Sequence, residues 1–535
     1  MGRLGRSAVI CFAAVSVLAI AGPTTARPVS PQAPAKGEAG VLSSDFDGDG
    51  YEDLAVGVPL ENGSYPDQGE VDVFYGGGGG LRATQPLYIR SMPGINQSFY
   101  KFGSGVAAGD VNGDGYADLA IGVPGYPLEG FGEVGTVILI PGSPQGLVPD
   151  EALYLNAKDA GHNLSNGEYF GAVLTTGDFD GDHLADIAVG APSADVHDVQ
   201  HAGGAAVFYG HRSLANVAKN GTYLHLFGAH TNDDFGASLA AGDFDGDHRD
   251  DLAVGAPLSD VLLQPGGRYT GAGNVWVYDG SSDGVKQTRV HRYFQRGTGG
   301  KPQIRAFFGA ALAAGNFDGD RWDDLAVGIP FFSETHHLRA AGAVEVFYGG
   351  PVELGRGPGN TDFLEEGFHG VPSRLHREDH FGLSLAAANF GRGDREDLAV
   401  GVPGKDVEGK SNAGAVIVLY GTNDGYFNTH DNSLLSQGQG EVVGRPDPND
   451  AFGAALAAAS FRGYSRADLA VGVPGEDVVV SQGEKAKNAG AVNVFGCTHD
   501  GCKRSDHMLT QKWLHLLPEK GDAFGQHLAA RGVAD

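Results

Sequence analysis

FGSGVAAGDVNGDGYADLAIGVP, residues 102–124, is the stretch that decides the fold. It joins an aromatic-glycine pair and a run of small apolar residues to an Asp-rich loop, a second apolar run and a Gly-x-Pro close. Each half recurs seven times. Phe-Gly halves begin at Phe102, Phe170, Phe235, Phe308, Phe381, Phe452 and Phe524. Asp-loop halves begin at Asp45, Asp110, Asp178, Asp243, Asn316, Asn389 and Ser460, spaced by 65, 68, 65, 73, 73 and 71 residues. Such self-similarity marks a repeat architecture. Each unit then adds a third run, such as EVDVFYGG from Glu70 or TVILIPG from Thr136. A more variable fourth follows, such as YLHLF from Tyr223 or WLHLL from Trp513. Short runs rich in β-branched and aromatic residues, alternating with period two, read as strands. Four strands per unit and seven units predict an all-β, seven-bladed β-propeller of four-stranded antiparallel blades. A two-sheet sandwich would not reuse one sequence seven times. The first run is built of Ala, Gly and Leu because blades crowd together at the axis.

The two halves are offset at the chain ends. No Phe-Gly half precedes the first Asp loop, and no Asp loop follows Phe524. The C-terminal segment is therefore expected to supply the inner strand of blade one. Closure by pairing the N- and C-terminal segments removes two exposed edges. The competing reading places Gly40 to Ser44 there instead.

Of 535 residues, 37 are Lys or Arg and 66 are Asp or Glu, a formal net charge of −29. That argues against a general nucleic-acid binder, which needs a basic footprint, and against a surface that docks on anionic lipid. The N-terminus carries Arg3 and Arg6, then an apolar run from Ser7 to Ala21 with small residues at its end. At about 15 residues it is short for a membrane span and reads as a secretory signal peptide, residues 1–26. Residues 27–40 read as a flexible lead-in and 41–535 as a single propeller. No other stretch can span a bilayer, so a secreted or cell-surface protein is expected. Cys497 and Cys502 then read as a disulfide, with a zinc site completed by His499 and His507 as the alternative.

The pattern D-x-D-G-D-x-x-x-D sets carboxylates at alternating positions of a tight loop. Ca²⁺ takes roughly six to eight hard oxygen ligands, and such a loop supplies them. The expected ligands of the first loop are Asp45, Asp47, Asp49 and Asp53, with the Tyr51 carbonyl. The second loop offers Asp110, Asn112, Asp114 and Asp118, with the Tyr116 carbonyl. The third has Asp178, Asp180, Asp182 and Asp186 with Leu184, and the fourth Asp243, Asp245, Asp247 and Asp251 with Arg249. The fifth has Asn316, Asp318, Asp320 and Asp324 with Trp322. Position twelve of the first loop is Val56, within a strand, where an EF-hand would need Glu. In the third to fifth loops His183, His248 and Arg321 replace the sixth-position Gly, a strain if that position needs a positive φ. Gly391 and Gly393, then Arg462 and Tyr464, have displaced the carboxylates of the last two loops, which should be metal-free. About five Ca²⁺ per chain are expected, since Mg²⁺ resists dehydration. Arg392-Gly393-Asp394, the tripeptide that integrins bind, falls inside the decayed sixth loop, where short motifs arise by chance. The His336-His337 pair reads as solvated loop.

These motifs resemble FG-GAP repeats, the units of the integrin α-subunit propeller, and look closest to secreted bacterial FG-GAP repeat proteins. The resemblance covers about residues 40 to 535 and implies the same calcium ligands. No integrin-like stalk is expected after the propeller. The implied function is a non-enzymatic adhesion or ligand-binding module for an unknown protein or glycan, acting as a monomer. The alternatives are an extracellular hydrolase or lyase with its site on the propeller axis, since FG-GAP units also accompany phospholipases, and a structural envelope protein.

Overall fold

A computed structural model describes residues 43–529, apart from 63–65, 83–98, 227, 264–265, 296–300, 334–338, 352–353, 356–360, 369, 392, 423–426, 428–430, 482–483 and 515–517. The expected signal peptide and lead-in, His336-His337 and Arg392 lie outside the described residues.

Blade two shows the unit. Val106–Gly109, Asp118–Val123, Thr136–Ile140 and Leu153–Leu155 pair antiparallel in chain order. The Asp-rich loop joins the first two strands, with Gly109 opposite Asp118 and Val106 opposite Ile121. Five further four-stranded sheets repeat this order, with inner strands Val173–Gly177, Ser238–Gly242, Leu312–Gly315, Leu385–Ala388 and Leu456–Ala459. In the first blade three strands are described. Leu54–Val58 pairs with Glu70–Phe74 on one side and His527–Ala529 on the other. Ala55 faces Ala529 and Gly57 faces His527. Ser43 and Ser44, the described part of the competing segment, form no strand. Around the axis, His527–Ala529 touches Val106–Gly109 of blade two and Leu456–Ala459 of blade seven.

The sequence explains the packing. Second strands such as Asp118–Val123 are buried along their whole length, because blades cover both faces. The glycine of Gly-x-Pro is there for close approach: a Cβ on Gly122 would lie 1.8 Å from the Gly171 carbonyl oxygen of blade three. The Phe of each Phe-Gly pair is a buried plug. Phe170 meets Phe208, Phe308 meets Phe347 and Phe452 meets Phe495 edge-on. Phe524 meets Phe74 in the same way at 6.2 Å.

The structure corrects one strand. Trp513 lies in a 3-10 turn, Gln511–Leu514, and the fourth strand of blade seven is Ser505–Leu509. By Leu509 that strand already faces Val492, next to the end of its partner Ala491–Phe495. No ladder remains for residues further on. In blades four and seven the loop between second and third strands carries an added hairpin, Val261–Leu263 with Gly267–Tyr269 and Val478–Ser481 with Glu484–Ala486.

Candidate metal centres

Each of the first four Asp loops is wound by its own first carboxylate. Asp45 accepts the Gly48 N–H at 2.7 Å and the Gly50 N–H at 2.8 Å. Asp110 holds Gly113 and Gly115, Asp178 holds Gly181 and His183, and Asp243 holds Gly246 and His248 in the same way. The sixth position takes a positive φ in the first four loops, +87° at Gly50, +89° at Gly115, +66° at His183 and +67° at His248, but not at Arg321 of the fifth loop, which escapes the expected strain. The two histidines thus sit where an L-residue is strained. The ninth carboxylate ties the loop to its blade. Asp53 accepts the Phe46 N–H and the Gly76 N–H, both at 2.8 Å, and Gly76 follows the third strand. Asp118, Asp186, Asp251, Asp324 and Asp397 repeat the arrangement.

The electrostatics call for a cation. Burial pushes Asp53, Asp118, Asp186, Asp251 and Asp324 well above the usual carboxylate range, and neighbouring loop carboxylates add to it. Burial also raises Asp45 and Asp180 to about 6. Carboxylate oxygens of Asp45, Asp47 and Asp53 lie within 4.8 Å of one another, as do those of Asp178, Asp180 and Asp186 and those of Asp243, Asp245 and Asp247. These all-oxygen sets fit a hard divalent ion. The fifth-position carboxylates are partly engaged: Arg82 pairs with Asp49 at 2.9 Å and Arg249 with Asp247 at 3.0 Å. Asp49, Asp114, Asp182, Asp247 and Asp320 accept the N–H of Tyr51, Tyr116, Leu184, Arg249 and Trp322. In the second loop Asn112 donates its amide to Asp118 at 3.2 Å.

The fifth loop is wound differently. The Asn316 side chain donates to the Asp320 carbonyl at 2.9 Å, and its own Oδ1, buried, has no hydrogen-bond partner. Arg395 of blade six reaches the Gly319 carbonyl. The sixth loop holds Asp397 by the Phe390, Gly391 and Gly421 N–H groups, while Asp394 pairs with Arg466 at 3.3 Å. In the seventh, the guanidinium of Arg462 contacts both oxygens of Asp468, at 2.6 to 3.2 Å. An arginine at the second-Asp position thus supplies the positive charge itself. Its signal was in the sequence, in Arg462 standing where other loops carry Asp.

The loops also form a ring. The eighth-position N–H of each blade donates to the first-position carbonyl of the blade before it. Ala117 bonds Asp45, Ala185 bonds Asp110, Asp250 bonds Asp178, Asp323 bonds Asp243, Glu396 bonds Asn316, Ala467 bonds Asn389 and Glu52 bonds Ser460. Residues Asp250, Asp323 and Glu396 add a second bond to the same neighbours through their side chains, at 2.8, 3.1 and 2.9 Å. Sequence reading missed this role of the eighth position. Beside the sixth loop, Cys497 and Cys502 form a disulfide that closes a hairpin, and the Cys502 N–H bonds the Tyr420 hydroxyl at 3.1 Å.

The opposite face is composed differently. Phe-Gly turns, the loops between second and third strands, and the segments after the fourth strands all emerge there. Nine large hydrophobic side chains are exposed among the described residues. Seven of them, Phe99, Phe131, Leu262, Ile304, Phe368, Val443 and Val479, lie in these loops, and Tyr464 lies on the Asp-loop face. On this side of blade three, buried Glu168 lies 3.5 Å from His162, whose ring stacks on Tyr223 at 4.1 Å. Glu168 Oε2, His162 Nε2, Ser165 Oγ and Tyr223 Oη have no hydrogen-bond partner.

The FG-GAP repeat family profile matches residues 37–74, 102–140, 170–208, 235–278 and 308–347. The chain is 34% identical over 188 residues to phosphatidylinositol-glycan-specific phospholipase D of Mus musculus, covering 34% of this chain and 20% of that one. It is 29% identical over 265 residues to integrin alpha-PS2 of Drosophila melanogaster, covering 48% of this chain and 17% of that one. It thus spans about a fifth of the length of these curated relatives. Among solved structures, the exotype rhamnogalacturonan lyase YesX aligns with 78% of this chain and 74% of its own at 13% identity and a TM-score of 0.33.

Proposed function

We propose that this chain, built of FG-GAP repeats, is a secreted, calcium-stabilised binding module. Its ligand, a protein or glycan at a cell surface, docks on the face opposite the Asp loops. The observation that carries this reading is that seven of the nine large hydrophobic side chains exposed among the described residues lie in loops of that face. Large apolar side chains left in water on one face are what a binding partner would cover. The Asp-loop face is meanwhile committed to joining neighbouring blades. Calcium in the first five loops neutralises carboxylates that otherwise repel across the inter-blade seam. A protein and glycan array probed with the chain, with and without Ca²⁺, tests the proposal. Binding that falls at least tenfold in Phe99→Ser and Ile304→Ser variants supports it. Binding untouched by both, and by a third substitution at Phe131, sinks it.

The Glu168, His162 and Tyr223 set favours a second reading, an extracellular hydrolase or lyase. A carboxylate with one oxygen unpartnered, an imidazole and a phenol are the groups acid–base catalysis uses. They lie near the fourth strand, at the blade's outer edge and away from the axis. Turnover of a polysaccharide that is lost in Tyr223→Phe would move the reading to this site.

A further inference from the structure

On the Phe-Gly face, blades six and seven share one backbone frame around a buried polar position. In blade six the Lys405 N–H bonds the Val402 carbonyl, the Lys405 carbonyl takes the Gly414 N–H, and the Gly404 N–H bonds the Asp379 carbonyl. In blade seven Glu476, Val473, Gly490, Gly475 and Asp450 repeat those three bonds. The two acids are held alike, Asp379 by the His376 N–H and Asp450 by the Asp447 N–H. The third member lies two residues past each fourth strand, Glu366 after Thr361–Leu364 and Gln437 after Ser433–Leu435.

The charges are not alike. In blade six a buried ammonium fills the frame. Lys405 Nζ lies 2.8 Å from Glu366, 2.8 Å from Asp379 and 2.8 Å from the Arg374 carbonyl. In blade seven the lysine is replaced by Glu476 and the glutamate by Gln437. A carboxylate now stands at the position that carries the cation in blade six. The Gln437 amide donates to Glu476 at 2.8 Å, and its own Oε1, on a side chain only 1% exposed, has no hydrogen-bond partner. Next to it, buried Ser436 Oγ is also without a partner. Asp450 is 1% exposed. At the rim Lys485 and Lys410 pair with Asp447 at 3.3 and 3.8 Å, Lys485 lies 3.9 Å from Asp477, and both lysine side chains are 44% exposed.

We infer that a hard cation, Ca²⁺ by its oxygen donors, binds between Asp450, Glu476 and the Gln437 carbonyl oxygen, where blade six places its lysine ammonium. Two carboxylates and an amide oxygen suit a hard ion and not a soft one. The site lies at the opposite end of the blade from the Asp loops, so its ion is separate from any bound there. The frame recurs in blade one, where Glu61 stands at the Glu476 position and takes the Gln511 amide at 2.7 Å, and where Gln511 Oε1 and Asp522 Oδ1, both buried, have no hydrogen-bond partner.

The test is a count of bound ions by equilibrium dialysis against saturating calcium, on the folded full chain. Glu476→Gln should hold one ion fewer than the parent chain. The double variant Glu476→Lys with Gln437→Glu rebuilds the blade-six triad and should also hold one fewer. In excess chelator its melting temperature should be at or above that of the parent, since an internal ammonium now does the ion's work. The ion count separates this site from a carboxyl pair that shares a proton, which would bind none. An unchanged count in the folded Glu476→Gln chain overturns the inference, as does a double variant that melts below the parent in chelator.

Discussion

Acid should loosen the first blade at one residue. His527 sits on the strand His527–Ala529 that pairs with Leu54–Val58, opposite Gly57. The same position is Gly105, Val173, Ser238, Ala311, Ser384 or Ala455 in the other units, so a histidine there is the exception. Burial lowers its pKa from 6.5 to about 4. The folded chain therefore resists protonation while the unfolded chain accepts it. The stability this histidine contributes is complete above pH 6.5 and is lost as the pH falls toward 4. A shift of this size corresponds to about 3 kcal/mol between those limits. Other groups titrate in the same window, so the assay must be differential. His527→Ser is the reference, because Ser238 and Ser384 each donate from this position to a glycine carbonyl of the next blade at 2.6 Å. Unfolding by urea in saturating calcium, for both chains from pH 7.5 to 4, gives the difference in stability. That difference should move by about 3 kcal/mol in favour of serine as the pH falls. A difference constant across the range would refute the reasoning, since it would mean that the imidazole meets solvent or a hidden acid in the folded state.

The remaining expectations concern the metal, its arginine substitute and the seam. Dialysis against excess chelator should lower the melting temperature, and Asp47→Ala should reproduce part of that loss and remove one of about five Asp-loop ions; equal melting curves with and without calcium would contradict it. Arg462→Ala should cost about 3 kcal/mol in urea unfolding, because it leaves Asp468 buried without a counter-charge; a change below about 0.5 kcal/mol would mean the pair is solvent-screened. Phe524→Ala should cost about 3 to 5 kcal/mol, since Phe524 is fully buried against Phe74. Deleting residues 524 to 535 should destabilise the chain far more than trimming a frayed tail; a melting temperature unchanged by the deletion would show the first blade to be complete without it.

What the sequence made legible is what repeats. Seven copies of one pattern gave strand order, the Asp loops and the place of each Phe plug, because every blade must solve the same packing problem with nearly the same residues. Counting half-motifs pointed to the segment from Phe524, and His527–Ala529 does pair with Leu54–Val58. The glycine at the sixth loop position could be read as a demand for positive φ, and His183 and His248 meet that demand despite their side chains. Where the repeat decays, the pattern stops being informative. WLHLL has the composition of a strand, but composition does not say where the partner strand ends, so the last fourth strand was placed eight residues late, at Trp513 instead of Ser505.

The rest was illegible because the fold preserves charge balance and not residue identity. The ninth-position carboxylate stays buried in the last two blades, at Asp397 and Asp468, although their loops have shed the other acids. A buried carboxylate still needs compensation, and there are few ways to provide it. Backbone N–H groups do it at Asp397, and the Arg462 guanidinium does it at Asp468. In the first, third and fourth loops the carboxylates are close enough together that they could hold a cation. On the other face Lys405 performs the same service for Glu366 and Asp379. Each of these cations arrives from a different sequence position, or from solvent, so no single column of the repeat records it. Only the geometry shows that Arg462, Lys405 and the carboxylates of the first loops answer one requirement: the charge buried where two blades meet has to be neutralised locally, by the chain or by an ion that it binds.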